Sequence, residues 1–150
     1  MAISGYRILR IDKELPFPTR KTEYSSGIDL HARINEPIQP NALKRIPTGI
    51  KMIIPVGYEV QIRPRSGLAN DYSITVLNTP GTIDSDYRGE ICVLLYNAGA
   101  KPFFVIRGDR IAQAVLCPVV LNNPVEVTEE EFNEFTTVRG EGGFGSTGMK

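Results

Sequence analysis

The alternation of apolar and polar residues predicts β-strands along most of the chain. In GYEVQIRPR, Tyr58, Val60 and Ile62 alternate with polar neighbours, and this period of two is typical of a strand with one face in water. The runs EICVLLYN and RIAQAVLCPVV are apolar at successive positions. Both faces of these strands must therefore be covered, either by a second sheet or by neighbouring subunits.

Turn residues separate these short runs. The chain contains 14 Gly and 11 Pro, which is typical of many strands joined by turns. One helix is indicated, because Thr128 and Glu131 have the spacing of a capping box. We therefore expect an all-β fold, a jelly-roll-like barrel or sandwich with at most one short helix, that buries further surface by oligomerising.

Length and charge restrict the possible partners. A chain of 150 residues suits one domain with a substantial core. Its 17 basic and 17 acidic residues balance, which argues against a nucleic-acid partner. No apolar run has the length of a signal peptide or a membrane span, so we expect a cytoplasmic protein without a membrane partner. Cys92 and Cys117 lie in apolar runs without CxxC spacing, which predicts buried thiols rather than a disulfide or zinc site.

The C-terminal stretch RGEGGFGSTGMK differs in composition from the rest of the chain. We expect a β-domain over residues 1–138 and a flexible, glycine-rich arm over residues 139–150. The stretch has P-loop spacing, but Ser146 occupies the lysine position and no strand precedes it. Glycine backbone beside hydroxyl groups can still surround phosphate oxygens, and Phe144 suits stacking on a base. The alternative interpretation is a flexible tail without function.

A second motif, PRSGLA at residues 64–69, directly follows the alternating strand. The guanidinium of Arg65, the hydroxyl of Ser66 and the backbone at Gly67 form a compact set of anion-binding groups. The alternative is an ordinary turn in which Arg65 pairs with a nearby carboxylate. Ser66 lacks the surroundings of a catalytic nucleophile, because the chain has no GxSxG elbow and a single histidine.

A third motif occupies residues 77–90, LNTPGTIDSDYRGE, between the apolar runs SITVL and ICVLLY. These runs predict a hairpin with a charged tip. The pair Asp84 and Asp86 resembles part of a calcium loop, but Arg88 stands where the next acidic ligand belongs. Asp84 instead suits a general base for an attacking water. The alternative is that both aspartates are solvated turn residues.

Two shorter segments supply further candidates. In SGIDLHA, Asp29 and His31 share one side of a predicted strand, and we expect His31 at the surface or partly packed. In RGDRIAQAVL, Gln113 is a polar side chain within an apolar run. If Gln113 is buried it needs hydrogen-bond partners, which can be structural groups or a ligand.

Taken together, SGIDLHA, PRSGLA, LNTPGTIDSDYRGEI, RGDRIAQAVL and RGEGGFGSTG resemble the five ordered motifs of the trimeric dUTPases. The resemblance extends from about Ser26 to Gly148. It implies a jelly-roll subunit, a homotrimer with active sites shared between subunits, and closure of each site by the arm of another subunit. The implied reaction is hydrolysis of dUTP to dUMP and pyrophosphate, which limits uracil in DNA and supplies dUMP for dTMP synthesis.

The resemblance also implies roles for the residues of the third motif. Asp84 would activate the water that attacks the α-phosphorus. Tyr87 would stack under the deoxyribose and leave no room for a 2′-OH. Asn78, together with the backbone of Thr82 and Ile83, would recognise the uracil edge.

A second set of residues would hold and enclose the triphosphate. The groups implied to hold the phosphates are Arg65, Ser66, Gly67 and Gln113. The arm residues implied to close over the substrate are Arg139, Phe144, Gly145, Ser146 and Thr147. Mg2+ would bind through triphosphate oxygens and water, with no direct protein ligand and with Asp29 supporting the ion through water.

Two departures from the family pattern adjoin these motifs. Ser25 and Ser26 replace the Ala-Gly that is more usual before the first motif. Asn70 and Asp71 follow PRSGLA where a lysine is common. Asp71 adds negative charge near the expected phosphate site, which bears on affinity more than on the reaction.

Two other functions are open to a chain of this pattern. A dCTP deaminase of the same superfamily would remove an amino group from cytosine, but the intact GTIDSDYRGE and FGST segments favour hydrolysis without deamination. A non-catalytic β-trimer that binds a nucleotide or a protein would be expected to lack the base or the arm aromatic. Asp84 and Phe144 are both present.

Overall fold

The computed structural model describes residues 5–143, and within them β-strands dominate. The strands are β1 (Arg7–Arg10), β2 (Ile28–His31), β3 (Glu36–Ile38), β4 (Leu43–Pro47), β5 (Ile50–Ile53), β6 (Tyr58–Arg63), β7 (Ile74–Val76), β8 (Gly81–Ile83), β9 (Cys92–Asn97), β10 (Phe103–Val105) and β11 (Arg110–Pro118). The helices are α1 (Ser66–Tyr72) and α2 (Glu129–Asn133). Neither helix is long and apolar enough to cross a membrane.

Two sheets form the body of the fold. One contains four strands in the order β2-β11-β6-β8, and the other contains three in the order β4-β9-β7. Two further ladders pair β1 with β5 and β10 with β3. Every pairing is antiparallel. This arrangement confirms the predicted all-β, jelly-roll-like class.

The core forms where alternate residues of the two larger sheets are buried. Leu30 and Val60 of the four-stranded sheet and Ile74, Val93 and Leu95 of the three-stranded sheet belong to one buried cluster. Burial of this apolar surface is the main stabilising contribution to such a sandwich. The apolar strands β11 and β9 lie in opposite sheets, so each has one face covered by the sheet that contains the other, as their sequences require.

Several local predictions are confirmed. In β6, Val60 and Ile62 are buried, while the polar residues between them are partly exposed. The capping box of α2 is complete, because the side chain of Thr128 accepts a hydrogen bond from the Glu131 amide and the Glu131 carboxylate accepts one from the Thr128 amide. Both cysteines are free, although each is half-buried rather than fully buried.

The structure contains α1 where the sequence predicted only a turn, so the expectation of at most one helix was wrong. No side chain caps the N-terminus of α1, and none of its residues is fully buried. Long-range packing supports it instead. Leu68 packs against the core, and the ring of Tyr72 lies 5.3 Å from that of Phe103. Such packing overrides the poor helix propensity of Gly67.

The prediction of a simple hairpin over residues 74–96 was only partly right. Strands β7 and β9 do pair, with Val76 opposite Leu95. The intervening residues are not a free tip, because Gly81–Ile83 forms β8 and pairs with β6 in the other sheet. The segment therefore passes from one sheet to the other. Asp84 and Tyr87 lie in the turn that follows β8, an outer strand of the four-stranded sheet.

The chain divides into two compact units, one ending at Val120 and one beginning at Leu121. The second unit contains α2 and exposes many large apolar side chains. These are Leu121, Val125, Val127, Phe132, Phe135 and Val138. The predicted boundary between residues 138 and 139, and the closure of the arm over the site, stay predictions.

Candidate active site

Several residues selected from the sequence meet around one cavity of about 210 Å³. Three adjacent strands create it: in β11, Gln113 lies opposite Asp29 of β2 on one side and opposite Arg63 of β6 on the other. The chain leaves β6 and enters α1 directly beside them. The residues that line the cavity are Lys21, Asp29, Arg65, Ser66, Gly67, Arg110 and Gln113.

The carboxylate of Asp29 organises the positive charges of this cavity. One of its oxygens lies 3.3 Å from Nε of Arg65, and the other lies 3.2 Å from Nη1 of Arg110. Nη1 of Arg65 also donates to the carbonyl oxygen of Arg110 at 3.0 Å. With Lys21, three cationic side chains and one carboxylate line the cavity. The resulting excess of positive charge suits a polyanionic ligand.

Gln113 has a structural partner and also faces the cavity. Its side-chain nitrogen donates to the carbonyl oxygen of Pro64 at 2.9 Å. This bond joins β11 to the backbone that precedes Arg65. Gly27 is required beside it, because a Cβ at that position would lie 2.8 Å from Oε1 of Gln113.

His31 lies next to this cavity and lines an adjacent one with Asp29, Lys21 and Arg110. Burial lowers the pKa of His31 below its usual value, despite the opposing effect of the Asp29 charge. The ring is therefore neutral near pH 7 and adds no charge to the cavity that contains Gln113. Its Nδ1 is buried without a hydrogen-bond partner among residues 5–143, and the prediction of a partly packed histidine is confirmed.

A second group of predicted site residues lies on β8 and the turn after it. Asp84 is exposed, and its carbonyl oxygen accepts a hydrogen bond from the Tyr87 amide at 3.1 Å. Arg88 closes the turn by donating to the carbonyl oxygens of Ser85 and Tyr87 at 2.7 and 2.8 Å. The residue Tyr87 is 44% exposed. The turn therefore presents a carboxylate and an aromatic ring to solvent.

The residues expected to recognise a base belong to the same region. Thr82 and Ile83 lie in β8, opposite Gln61 and Val60 of β6. Within the described residues β8 pairs on one side only, so its outer edge presents backbone donors and acceptors. Asn78 is exposed, and its amide nitrogen would lie 3.2 Å from a Cβ at position 81. Gly81 therefore allows the close approach of Asn78.

The two groups are carried by different parts of the four-stranded sheet: the cavity residues other than Lys21 lie on β2, on β11 and directly after β6, whereas Asp84 and Tyr87 follow the outer strand β8. Neither Asp84 nor Tyr87 lines the cavity that contains Arg65. One chain thus presents a cationic cavity and, separately, a turn bearing a carboxylate and an aromatic ring. Together these groups can bind a polyanion, stack on a ring and activate water, and among residues 5–143 the cavity is lined by the first group without the second.

The remaining predicted site residues belong to the C-terminal arm. Nε of Arg139 donates to the carbonyl oxygen of Gly142 at 2.7 Å, and this side chain is exposed. The predicted positions Phe144, Gly145, Ser146 and Thr147 lie outside the described residues. Their roles stay predictions.

Sequence reasoning missed Lys21 and Arg110 as cavity residues. Arg110 was visible within RGDRIAQ, but strict alternation would place its side chain on the face opposite to that of Gln113. The register shift between Arg110 and Ala112 brings both side chains to the same cavity. Lys21 lies in an irregular segment and offered no periodic signal. Asp71 lines a different cavity, together with Tyr72 and Lys101, rather than the one that contains Arg65.

Comparison with known proteins agrees with this geometry. A family model described as dUTPase matches residues 13–148. The deoxyuridine 5'-triphosphate nucleotidohydrolase of Chlamydia felis is 51% identical over 142 residues, which cover 93% of this chain and 96% of that relative.

Solved structures show the same fold. A mutant dUTPase of Staphylococcus bacteriophage 80alpha, solved with dUpNHpp, has a TM-score of 0.88 at 22% identity and covers 97% of this chain and 99% of its own. A mutant dUTPase from phage phi11 of S. aureus, which coordinates a structural Mg(II) ion, has a TM-score of 0.77 at 19% identity. The match covers 83% of this chain and 97% of the phage protein. Because the family model and the 51% identical relative both span nearly the whole chain, this chain belongs to the dUTPase family, the deoxyuridine 5'-triphosphate nucleotidohydrolases.

Proposed function

We propose that this dUTPase releases dUMP and pyrophosphate by attack of a water molecule at the α-phosphorus of dUTP. The observation that carries this proposal is the cavity in which Arg65, Arg110, Lys21 and Gln113 surround a position suited to phosphate oxygens. Hydrolysis of a triphosphate depends on positioning and charge stabilisation rather than on a covalent nucleophile. The product would supply dUMP in the cytoplasm and keep dUTP out of DNA synthesis.

Asp84 is the general base in this proposal. Its carboxylate is exposed on the closed turn, and in the homotrimer proposed below it would reach a water molecule beside the α-phosphate bound by a neighbouring copy. The base accepts the proton of the water as its oxygen attacks the phosphorus, and the bond to the pyrophosphate oxygen breaks. Arg65, with Ser66 and Gly67, would hold the phosphates during this displacement.

Nucleoside recognition is assigned to the neighbouring backbone and ring. The exposed edge of β8 at Thr82 and Ile83, with the amide of Asn78, offers donors and acceptors that suit a uracil edge. Tyr87 would lie under the deoxyribose, where its ring leaves no space for a 2′-hydroxyl. The exposure of Tyr87 supports such stacking.

Mg2+ is proposed as the cofactor. Among residues 5–143 no cluster of three or more His, Cys, Asp and Glu side chains could hold a metal ion, so the triphosphate oxygens and water are its proposed ligands. Asp29 fits the expected role, because its carboxylate lies between Arg65 and Arg110 in the cavity and can orient a metal-bound water. The bound ion would neutralise part of the phosphate charge.

The active site is proposed to form between subunits of a homotrimer. Separation of the cationic cavity from the Asp84 turn within one chain supports this arrangement, since a neighbouring copy can supply the missing half. The exposed apolar side chains after Leu121 also favour burial against another copy. The C-terminal arm of another copy would close the site with Arg139, Phe144, Gly145, Ser146 and Thr147.

An assay with dUTP and dCTP, each with and without Mg2+, tests the reaction. We expect dUMP and pyrophosphate from dUTP, dependence on Mg2+, and no ammonia from dCTP. Ammonia release from dCTP would identify a deaminase. Binding of dUTP without turnover would identify a non-catalytic nucleotide-binding trimer, and either result would contradict the proposal.

Replacement of Tyr87 by Ala is expected to narrow the preference for dUTP over UTP. The ring rejects the 2′-OH by overlap and by leaving that hydroxyl without a partner, and such discrimination is worth about 10- to 100-fold. The measurement is the ratio of kcat/KM for the two substrates. An unchanged ratio would show that discrimination resides in other residues.

A further inference from the structure

The orientation of Tyr87 is set by the two residues that follow the turn. Its hydroxyl donates to the carbonyl oxygen of Glu90 at 3.1 Å. A Cβ at Gly89 would overlap the hydroxyl end of the Tyr87 ring, so the ring can lie over this backbone only because position 89 is glycine. The hydrogen bond to Glu90 therefore restrains the ring at its hydroxyl end, while 44% of the residue stays exposed.

The side chain of Glu90 is anchored to a different part of the fold. Nη1 of Arg33 donates to both carboxylate oxygens, at 3.3 and 3.2 Å. The amide of Gly49 donates to Oε1 of Glu90 at 2.8 Å. The Glu90 side chain is 23% exposed, so these charge-assisted bonds are partly shielded from water and hold the carboxylate firmly.

The backbone beyond Glu90 is held by the same β4–β5 connection. The Ile91 amide donates to the carbonyl oxygen of Ile50 at 2.9 Å. The hydroxyl of Thr48 donates to the carbonyl oxygen of Ile91 at 2.6 Å. Gly49 adopts a φ of +73° between them, and a Cβ there would lie 2.8 Å from Cβ of Asp12. The connection thus requires glycine at the position whose amide binds Glu90.

Arg33 is itself restrained by an ion-pair cluster. Its Nε lies 3.6 Å from Oδ2 of Asp12. Nη1 of Arg107 donates to the carbonyl oxygen of Arg33 at 2.8 Å and to Oδ2 of Asp12 at 2.6 Å. Hydrogen bonding from Arg107 lowers the pKa of Asp12, so this carboxylate stays charged well below neutral pH. The guanidinium that binds Glu90 therefore has a defined position.

We propose that Glu90 is a positioning residue for Tyr87 and, through it, a determinant of the preference for dUTP over UTP. This inference rests on the proposed role of Tyr87 at the sugar. The Glu90 carboxylate anchors its own residue to Arg33 and Gly49, which fixes the carbonyl oxygen that accepts the Tyr87 hydroxyl. Loss of the contacts between the Glu90 carboxylate and Arg33 and Gly49 lets the Tyr87 ring move away from C2′, and the site then accepts the ribose of UTP.

The test measures the ratio of kcat/KM for dUTP to that for UTP. This ratio does not depend on the fraction of active protein, so a general loss of folded enzyme leaves it unchanged. Glu90→Ala should lower it by about tenfold, the scale of one lost charged hydrogen bond. Glu90→Gln keeps an acceptor for the Gly49 amide and should give an intermediate ratio. Glu14→Ala is the matched control, since Glu14 is an exposed carboxylate that binds Arg107 in the same cluster, and it should leave the ratio unchanged.

A double-mutant cycle with Tyr87→Phe separates positioning from a general structural effect. The Phe variant removes only the exposed hydroxyl, so folding should be preserved, and its ratio should also fall. If Glu90 acts through this hydrogen bond, the variant that carries both Glu90→Ala and Tyr87→Phe should have a dUTP-to-UTP ratio no lower than that of the less selective single variant. Additive losses, or a normal ratio in Tyr87→Phe, would overturn the inference. If Tyr87→Ala narrows the selectivity but Glu90→Ala leaves the ratio normal, the inference about Glu90 is overturned and the role of Tyr87 stands. If Tyr87→Ala also leaves the ratio normal, the proposed role of Tyr87 is overturned as well.

Discussion

Replacing Asp84 by Asn is expected to lower kcat for dUTP by about two orders of magnitude or more, the usual scale for loss of a general base. Asparagine keeps the size of the side chain. The turn should keep its shape, because its hydrogen bond runs from the Tyr87 amide to the backbone carbonyl of Asp84. What is lost is the carboxylate that accepts a proton from the attacking water. Binding of a non-hydrolysable dUTP analogue should therefore be nearly unchanged.

Asp86→Asn is the matched control for this experiment. Asp86 is an exposed carboxylate in the same turn, and its replacement removes the same charge without removing the proposed base. Single-turnover kinetics with both variants would separate the chemical step from binding and product release. Near-normal turnover by Asp84→Asn, or an equal loss in both variants, would contradict the assignment of Asp84.

Deletion of residues 139–150 should lower kcat/KM for dUTP by about a hundredfold or more, the scale for removing electrostatic stabilisation from a site that must exclude water. The arm is proposed to supply the guanidinium of Arg139, the ring of Phe144 and the hydroxyls of Ser146 and Thr147. The proposed trimer should persist in sedimentation or light-scattering measurements, because the apolar strands lie upstream of the deletion.

A shorter deletion of residues 148–150 is the control, because it leaves all the proposed arm contacts in place and should preserve activity. Limited proteolysis offers an independent measurement. A non-hydrolysable dUTP analogue with Mg2+ should protect the peptide bonds after Arg139, whereas buffer alone should not. Equal cleavage under both conditions, with full activity of the longer deletion, would show that the arm has no part in the reaction.

Local sequence patterns predicted several of the strands and the helix α2 because short-range physics determines these elements. The alternation of Val60 and Ile62 with polar residues requires a strand with one buried face, whatever sheet contains it. The Thr128 capping box likewise involves groups three residues apart. Helix α1 escaped prediction because Leu68 and Tyr72 gain their partners from distant segments, which no local pattern encodes.

The cavity proposed to bind phosphates was predicted in part. Arg65, Ser66 and Gly67 share one motif, and the structure places them in a cavity with Gln113. The contributions of Lys21 and Arg110 were not predicted. One lies in an irregular segment and the other beside a break in strand register, where side-chain direction cannot be read from alternation.

The sequence by itself determined the β class and, through five ordered motifs, the family and a set of candidate residues. Tertiary structure alone decided that β8 leaves the expected hairpin to pair with β6, and that Asp29 holds Arg65 and Arg110 together. It also decided that the Glu90 side chain is bound by the Gly49 amide while the Glu90 carbonyl oxygen accepts the Tyr87 hydroxyl. The physical reason is sequence separation: Ile62 and Gly81 pair although they are 19 positions apart, and Asp29 and Arg110 bond although they are 81 positions apart. Such pairings depend on how the sheets stack rather than on any local propensity.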